Sequence, residues 1–294
     1  MSSMTTPPAA APAAPYVAAC PVCCGTALEA TELQLPEGAL RRCTHCGQLL
    51  SVASELRYWE TMASFNAPGF NQLAPRELGR RRKVAQRRLK TILRLLGKPA
   101  ADIRLVDIGC SRGQFVDFAA REGFAAEGVE PAPDIAAAAR RSGLKVRTGL
   151  LEEQHYADAT FDAASLFEVV EHLREPLSLL RECRRILKPG GLLIISTGNA
   201  ASWTVGAMGA RWDYFHMEKD GGHISFFNPQ TIATLACSCG FEVARIETAR
   251  VKFHEKGEVS PALYAAGKIV AELLNLPARL AGRGHDILAY LRCR

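Results

Sequence analysis

From residue 103 onward, short apolar runs of strand length alternate with stretches whose apolar residues recur every three or four positions. Residues 103–106, 125–129, 144–147, 161–167 and 192–196 have the first pattern. Phe115, Val116, Phe118 and Ala119 have the second, as do residues 177–187 and 230–237. A further strand is predicted at 241–247, and amphipathic helices at 262–274 and 287–291. Such alternation builds a doubly wound α/β sheet covered by helices on both faces, with ligands at the carboxyl ends of its strands. Asp107, Glu130, Phe167 and residues 197–199 all fall at such ends.

Other stretches depart from this alternation. Residues 1–18 are rich in Ala and Pro and read as a disordered tail and not as a signal peptide. Residues 51–100 read as a helical connector. In it Tyr58, Trp59 and Phe65 offer aromatic anchors, and Val84, Leu89, Ile92, Leu93 and Leu96 form an apolar stripe opposite Arg80, Arg81, Arg82, Lys83, Arg87 and Arg88. This basic run has no aromatic residues for stacking on bases, so a solvated helix face is preferred to nucleic-acid binding; one of its arginines is also a candidate partner for a cofactor carboxylate. Residues 198–227 form an aromatic and glycine-rich insertion, read as a lid or substrate wall. The main domain is placed at 101–256, with C-terminal helices in 257–294 that would pack on the core, pair two copies as a homodimer or touch a membrane surface.

With 294 residues and 48% hydrophobic content, the chain can bury one sizeable core and carry a small extra module. No apolar run reaches the roughly eighteen residues of a membrane span, and a cytoplasmic location is expected.

The chemistry concentrates where the strand at 103–106 ends. Asp107, Gly109, Cys110, Ser111 and Gly113 form a turn into a helix, glycine standing where a ligand must approach the backbone closely. Twenty-one residues after Gly109, Glu130 ends the next strand, where a carboxylate can accept from both ribose hydroxyls. A dinucleotide fingerprint would read G-x-G-x-x-G, which is absent, and Asp107 would repel a pyrophosphate. An acid there suits a cationic or zwitterionic ligand, which points to S-adenosylmethionine; a glycine turn alone would also fit an ordinary strand-to-helix connection.

Residues 19–50 carry two C-x-x-C pairs, Cys20 with Cys23 and Cys43 with Cys46, separated by nineteen residues. That is the spacing of a four-thiolate structural zinc site, a zinc-ribbon-like module that metal binding would fold. Cys24 and His45 lie beside the ligands as substitutes. Cys110, Cys183, Cys237, Cys239 and Cys293 lack partner spacing and read as buried thiols.

Over residues 76–247 the chain resembles the class I S-adenosylmethionine-dependent methyltransferases, and within them the group like the ubiquinone-biosynthesis O-methyltransferase. The resemblance rests on VDIGCSRGQF, GVEP, FDAASLFEVVEHL, LKPGGLLIISTGN and GGHISFFNPQTIATLACSCGFEV, in that order. It implies a Rossmann-like, seven-stranded sheet with its last strand antiparallel. It also implies that Asp107, Gly109 and Gly113 line the methionine moiety, that Glu130 holds the ribose, that Phe167 flanks the cofactor and that Leu151 lies near the adenine. Ser111 departs from the glycine common there, so its hydroxyl must point away from the ligand. The cysteine module is similar to those of methyltransferases acting on sugars, natural products or ribosomal RNA.

Methyl transfer to a hydroxyl needs in-line alignment and removal of a proton. Glu168, Glu171 and His172 stand at i, i+3 and i+4, on one face if helical. His172 is the first candidate for general base and His223 the second. The same trio of Glu168, Glu171 and His172 could hold a divalent cation, or simply cap a helix. Three functions follow: a methyltransferase for a small metabolite or sugar-type acceptor, an RNA methyltransferase using the zinc module and basic helix, or a non-catalytic cofactor-binding scaffold.

Overall fold

A computed structural model describes residues 14–63, 75–254 and 257–294. Its N-terminal part contains β1 (Leu28–Leu35), β2 (Gly38–Cys43), β3 (Leu49–Leu50), α1 (Glu55–Met62) and α2 (Pro75–Leu96). The alternating part then runs β4 (Arg104–Ile108), α3 (Gln114–Arg121), β5 (Ala125–Glu130), α4 (Pro133–Arg141), β6 (Val146–Thr148), β7 (Phe161–Phe167), α5 (Pro176–Ile186) and β8 (Leu187–Gly198). The remainder is α6 (Trp203–Met208), α7 (Met217–Asp220), β9 (Ser225–Phe226), α8 (Pro229–Ser238), β10 (Phe241–Ala249), α9 (Pro261–Leu280) and β11 (Asp286–Cys293).

Seven strands make the central sheet in the order β10-β11-β8-β7-β4-β5-β6. The pairs from β8 to β6 are parallel, and β11 is antiparallel to both β8 and β10. Period-2 alternation sends successive residues to opposite faces. Leu105, Ala163, Leu192 and Ile194 join Leu89 and Ile92 of α2 and Phe115 of α3 on one face. Val106, Ala164, Leu193 and Ile195 join Leu180 and Cys183 of α5 and Leu235 of α8 on the other.

The sheet corrects one expectation. Residues 287–291 are strand and not helix: Ile287, Ala289 and Leu291 face one core and Tyr290 the other. A strand buried on both faces loses its polar alternation, so its short apolar run is indistinguishable from a buried helical segment by periodicity alone. The C-terminal stretch therefore supplies one helix, α9, and the strand that completes the sheet.

The cysteine module is not a separate body. β1, β2 and β3 continue into β9 of the 198–227 insertion, with Leu49 opposite Phe226 and Leu50 opposite Ser225. Trp212, Phe215 and Phe226 pack with Leu35, Leu40 and Leu49 in a small shared core. Within the predicted tail, residues 14–18 are also docked: Tyr16 N–H donates to Ala53 O at 2.8 Å, and its ring stacks on Tyr58. In the predicted connector Tyr58 is buried and Trp59 is exposed. Phe65 lies outside the described residues.

Candidate active site

The sequence order of strands reverses between β4 and β7, which opens a crevice at their carboxyl ends. Asp107, near the end of β4, is buried and accepts a 2.6 Å hydrogen bond from Ser165 of β7. Burial pushes its carboxyl up to about 7, against the lowering effect of Ser165 and Arg88. Gly109 and Gly113 have φ of 69° and 72°. A Cβ on Gly109 would stand 2.8 Å from Val169, and one on Gly113 2.6 Å from Leu144, so neither position admits a side chain without movement. Ser111 shares the left-handed region with φ 50°, the conformation of the glycine it replaces.

Glu130 closes β5 and clamps this loop. Its carboxylate accepts from Ser111 N–H at 2.7 Å and Ala132 N–H at 2.9 Å. Burial raises its pKa, against those two donors. A carboxylate offers about four lone-pair sites, so two remain for ribose hydroxyls. Phe167 packs edge-on against Phe115 at the end of β7, with ring centroids 4.7 Å apart. Leu151 is fully committed to the main core, and its neighbour Leu150 is the exposed side chain of that turn.

Sequence reasoning placed Arg88 in a solvated helix face, with one arginine of that run as a candidate partner for a cofactor carboxylate. Here α2 turns it inward, where its guanidinium lies 4.2 Å above the Phe167 ring, and its Nε has no hydrogen-bond partner among the described residues. Burial lowers its pKa, opposed by the charges of Glu168 and Asp107. The signal was available in the sequence, because Arg88 directly precedes Leu89 and lies four residues before Ile92 on the buried side of α2. Val84, assigned to the apolar stripe, is exposed.

Beyond β7 the expected helical trio takes another form. Glu168 has φ 57°, and residues 170–172 form a single 3-10 turn, since the next helix begins only at Pro176. Glu168 accepts from Ser196 Oγ at 2.8 Å and from the Tyr214 hydroxyl. Glu171, His172 and His223 come together instead, one ligand atom from each lying within 4.8 Å of the others. All three are buried.

Both oxygens of Glu171 lack a hydrogen-bond partner of ordinary geometry. Burial, then the charge of Glu168, raises its pKa well above the usual carboxylate range. Burial, with His223 adding to it, holds His172 well below the ordinary imidazole value. His223 Nδ1 lies 2.9 Å from Tyr214 O. A carbonyl only accepts, so Nδ1 carries a proton and Nε2 is the ring atom left to face the cluster. A carboxylate without a hydrogen-bond partner of ordinary geometry beside two imidazoles is a donor set that fits a divalent cation.

The four cysteines converge as their spacing predicts. Cys20 Sγ and Cys46 Sγ are 3.4 Å apart, Cys23 Sγ and Cys43 Sγ 3.5 Å, and all four lie within 4.8 Å of one another. Tetrahedral zinc with bonds of about 2.3 Å places its sulfurs about 3.8 Å apart, so the donor set fits. Each pair forms a knuckle: Cys24 N–H donates to Cys20 O and Gly47 N–H to Cys43 O. Cys24 is exposed, and neither it nor His45 belongs to the four-atom cluster. Among the remaining cysteines Cys237 is exposed, contrary to expectation.

A doubly wound sheet of this strand order, with a glycine turn on its first parallel strand and an acid ending the second, defines the class I S-adenosylmethionine-dependent methyltransferase fold. A methyltransferase domain model matches residues 78–246, and the chain belongs to that family. The ubiquinone biosynthesis O-methyltransferase of Cereibacter sphaeroides is 35% identical over 154 residues, 49% of this chain and 62% of the relative. That of Xanthomonas axonopodis pv. citri is 30% identical over 153 residues, 49% of this chain and 64% of the relative. The match thus spans less than two thirds of these relatives. A methyltransferase structure from Archaeoglobus fulgidus superposes with a TM-score of 0.51 at 20% identity, covering 72% of this chain and 94% of that one. A protein from Pyrococcus horikoshii OT3 does so with a TM-score of 0.52 at 15% identity, covering 78% and 96%. Both show the fold.

Proposed function

We propose that the protein transfers the methyl group of S-adenosylmethionine to a hydroxyl oxygen of a small metabolite or sugar-type acceptor. The observation that carries this reading is the nearness of two chemistries. Val169, whose side chain seals Gly109, is three residues from His172, so the glycine turn and the Glu171–His172–His223 cluster are neighbours. The name of the ubiquinone biosynthesis relatives supports oxygen as the acceptor atom.

The sulfonium supplies an electrophilic methyl group. Asp107 offers negative charge to its cationic end, Arg88 faces a carboxylate, and Glu130 receives the ribose. Gly109 and Gly113 shape the turn along which the methionine chain lies, Ser111 supports the loop through Glu130, Phe167 flanks the cofactor, and Leu151 backs the turn near the adenine. As the new C–O bond forms and the C–S bond breaks, the acceptor hydroxyl gives up its proton. A divalent cation at Glu171, His172 and His223, with Glu168 nearby, would acidify that hydroxyl. The depressed basicity of His172 favours this reading over its acting alone as general base. In the cysteine module, Cys20, Cys23, Cys43 and Cys46 hold structural zinc.

The test is transfer of a labelled methyl group into extract-derived small molecules by wild type and by Glu171→Gln. The variant should bind S-adenosylmethionine within about threefold of wild type, retain zinc and lose roughly 100-fold or more in turnover. Full turnover in Glu171→Gln would reject the cation site. Label incorporated only into RNA would reject the small-molecule acceptor.

A further inference from the structure

The outer face of α9 carries Ile269, Leu273, Leu276 and Leu280 at intervals of four, three and four, each between 64 and 80% exposed. Ala262 and Ala266 continue the same spacing toward the start of the helix. The opposite face is spent on the protein itself: Ala271 and Ala278 are buried, and Leu274 packs beside them with Val251 and Phe253. Leu263 and Val270, also exposed, widen this face on one side, and the 4-3-4 row along it has the spacing of a seam against a partner helix.

The charges beside the seam indicate which helix. Glu272 and Arg279 stand seven residues apart, each immediately preceding a seam leucine. When two copies of α9 lie antiparallel with Leu273 against Leu276 of the second copy, Ile269 falls against Leu280, and Glu272 falls opposite Arg279. The two-fold axis repeats every contact, so the pattern is complementary to itself. Shifting the register by one heptad, with Ile269 against Leu273, sets Glu272 against its own copy, a like-charge pair. A membrane-lying helix carries Lys and Arg on its polar face. Here Lys268, Glu272 and Arg279 stand on one border of the apolar face, and the acidic Glu272 interrupts it.

We propose that α9 is a homodimerisation element that pairs antiparallel with α9 of a second copy. About three helical turns are covered, less than a stable interface of about 1,200 Å² needs, so the dissociation constant is expected on the order of micromolar. Sedimentation velocity of the full chain across a concentration range is the test. Wild type should pass from monomer to dimer, and Leu273→Glu should remain monomeric with unchanged circular dichroism. Glu272→Arg should weaken association roughly tenfold, and Glu272→Arg with Arg279→Glu should restore it. Wild type that stays monomeric at every concentration overturns the proposal, as does a double variant no better than Glu272→Arg alone. A third contrary outcome is a monomer that floats with vesicles of phosphatidylcholine and phosphatidylglycerol, binding lost in Leu273→Glu, which would assign the face to lipid.

Discussion

Asp107 is the residue on which the proposed cofactor site turns. Its pKa of about 7 lies above the ordinary 3.8, so between those values the folded protein keeps a proton that the unfolded chain releases. This group's contribution therefore lowers stability as pH rises from about 4 to about 7. A bound cation reverses the preference by favouring the carboxylate. Affinity for S-adenosylmethionine should accordingly increase as pH rises toward 7 and level off above it, as titration calorimetry at several pH values would show. Asp107→Asn should weaken binding by about 1.5–3 kcal/mol, roughly 10- to 100-fold, and flatten the pH dependence. Gly109→Ala puts a Cβ at φ 69° and 2.8 Å from Val169, so destabilisation of about 1–3 kcal/mol is expected in denaturant unfolding. The glycine turn was legible because a left-handed backbone closely packed by neighbouring side chains restricts residue type locally, and Glu130 because it ends an apolar run. The place of His223 beside Glu171 and His172 was not, because 50 residues separate it from the turn that carries them. Their meeting depends on how the insertion folds back.

At the scale of elements, the cysteine module holds one wall of the crevice. β3 pairs with β9, whose strand begins two residues after His223. Ser51 N–H donates to Ile224 O at 3.0 Å, Gly222 N–H to Thr61 Oγ1 at 3.0 Å, and the Tyr58 hydroxyl to His172 O at 2.9 Å. The two segments that carry the imidazoles are thus both fastened to residues 51–61, which follow the second cysteine knuckle. Cys43→Ser should lose bound zinc, raise amide exchange across residues 222–226 and leave the core of β4 and β7 protected. Unchanged exchange at 222–226 in zinc-free protein would show that the loop stands without the module. β4, β5, β7 and the core of β8 were legible as short apolar runs between turn residues, while β1 and α4 were not read from the pattern. The pattern failed at β11, buried on both faces, and at residues 168–172, where spacing alone suggested a helix but Glu168 takes a left-handed conformation and Pro176 sets the start of α5.

At the scale of the whole molecule, a family sheet is extended at its amino end by a ribbon whose four cysteines could hold a metal ion and, between β10 and β11, by α9. The order of the sheet follows from short connections and parallel pairing, but the union of the ribbon with the 198–227 insertion required the coordinates, since two strands as short as Leu49–Leu50 and Ser225–Phe226 leave little pattern in a sequence. Among the described residues no helix is long and apolar enough to cross a membrane. The proposed cofactor site lies at the ends of β4, β5 and β7. The most direct measurement is isothermal titration of S-adenosylmethionine into zinc-loaded full-length protein, with Glu130→Ala measured alongside. One site per chain, weakened in the variant, is the predicted result. Absence of binding to correctly folded protein, or equal binding by Glu130→Ala, would contradict the placement of the cofactor.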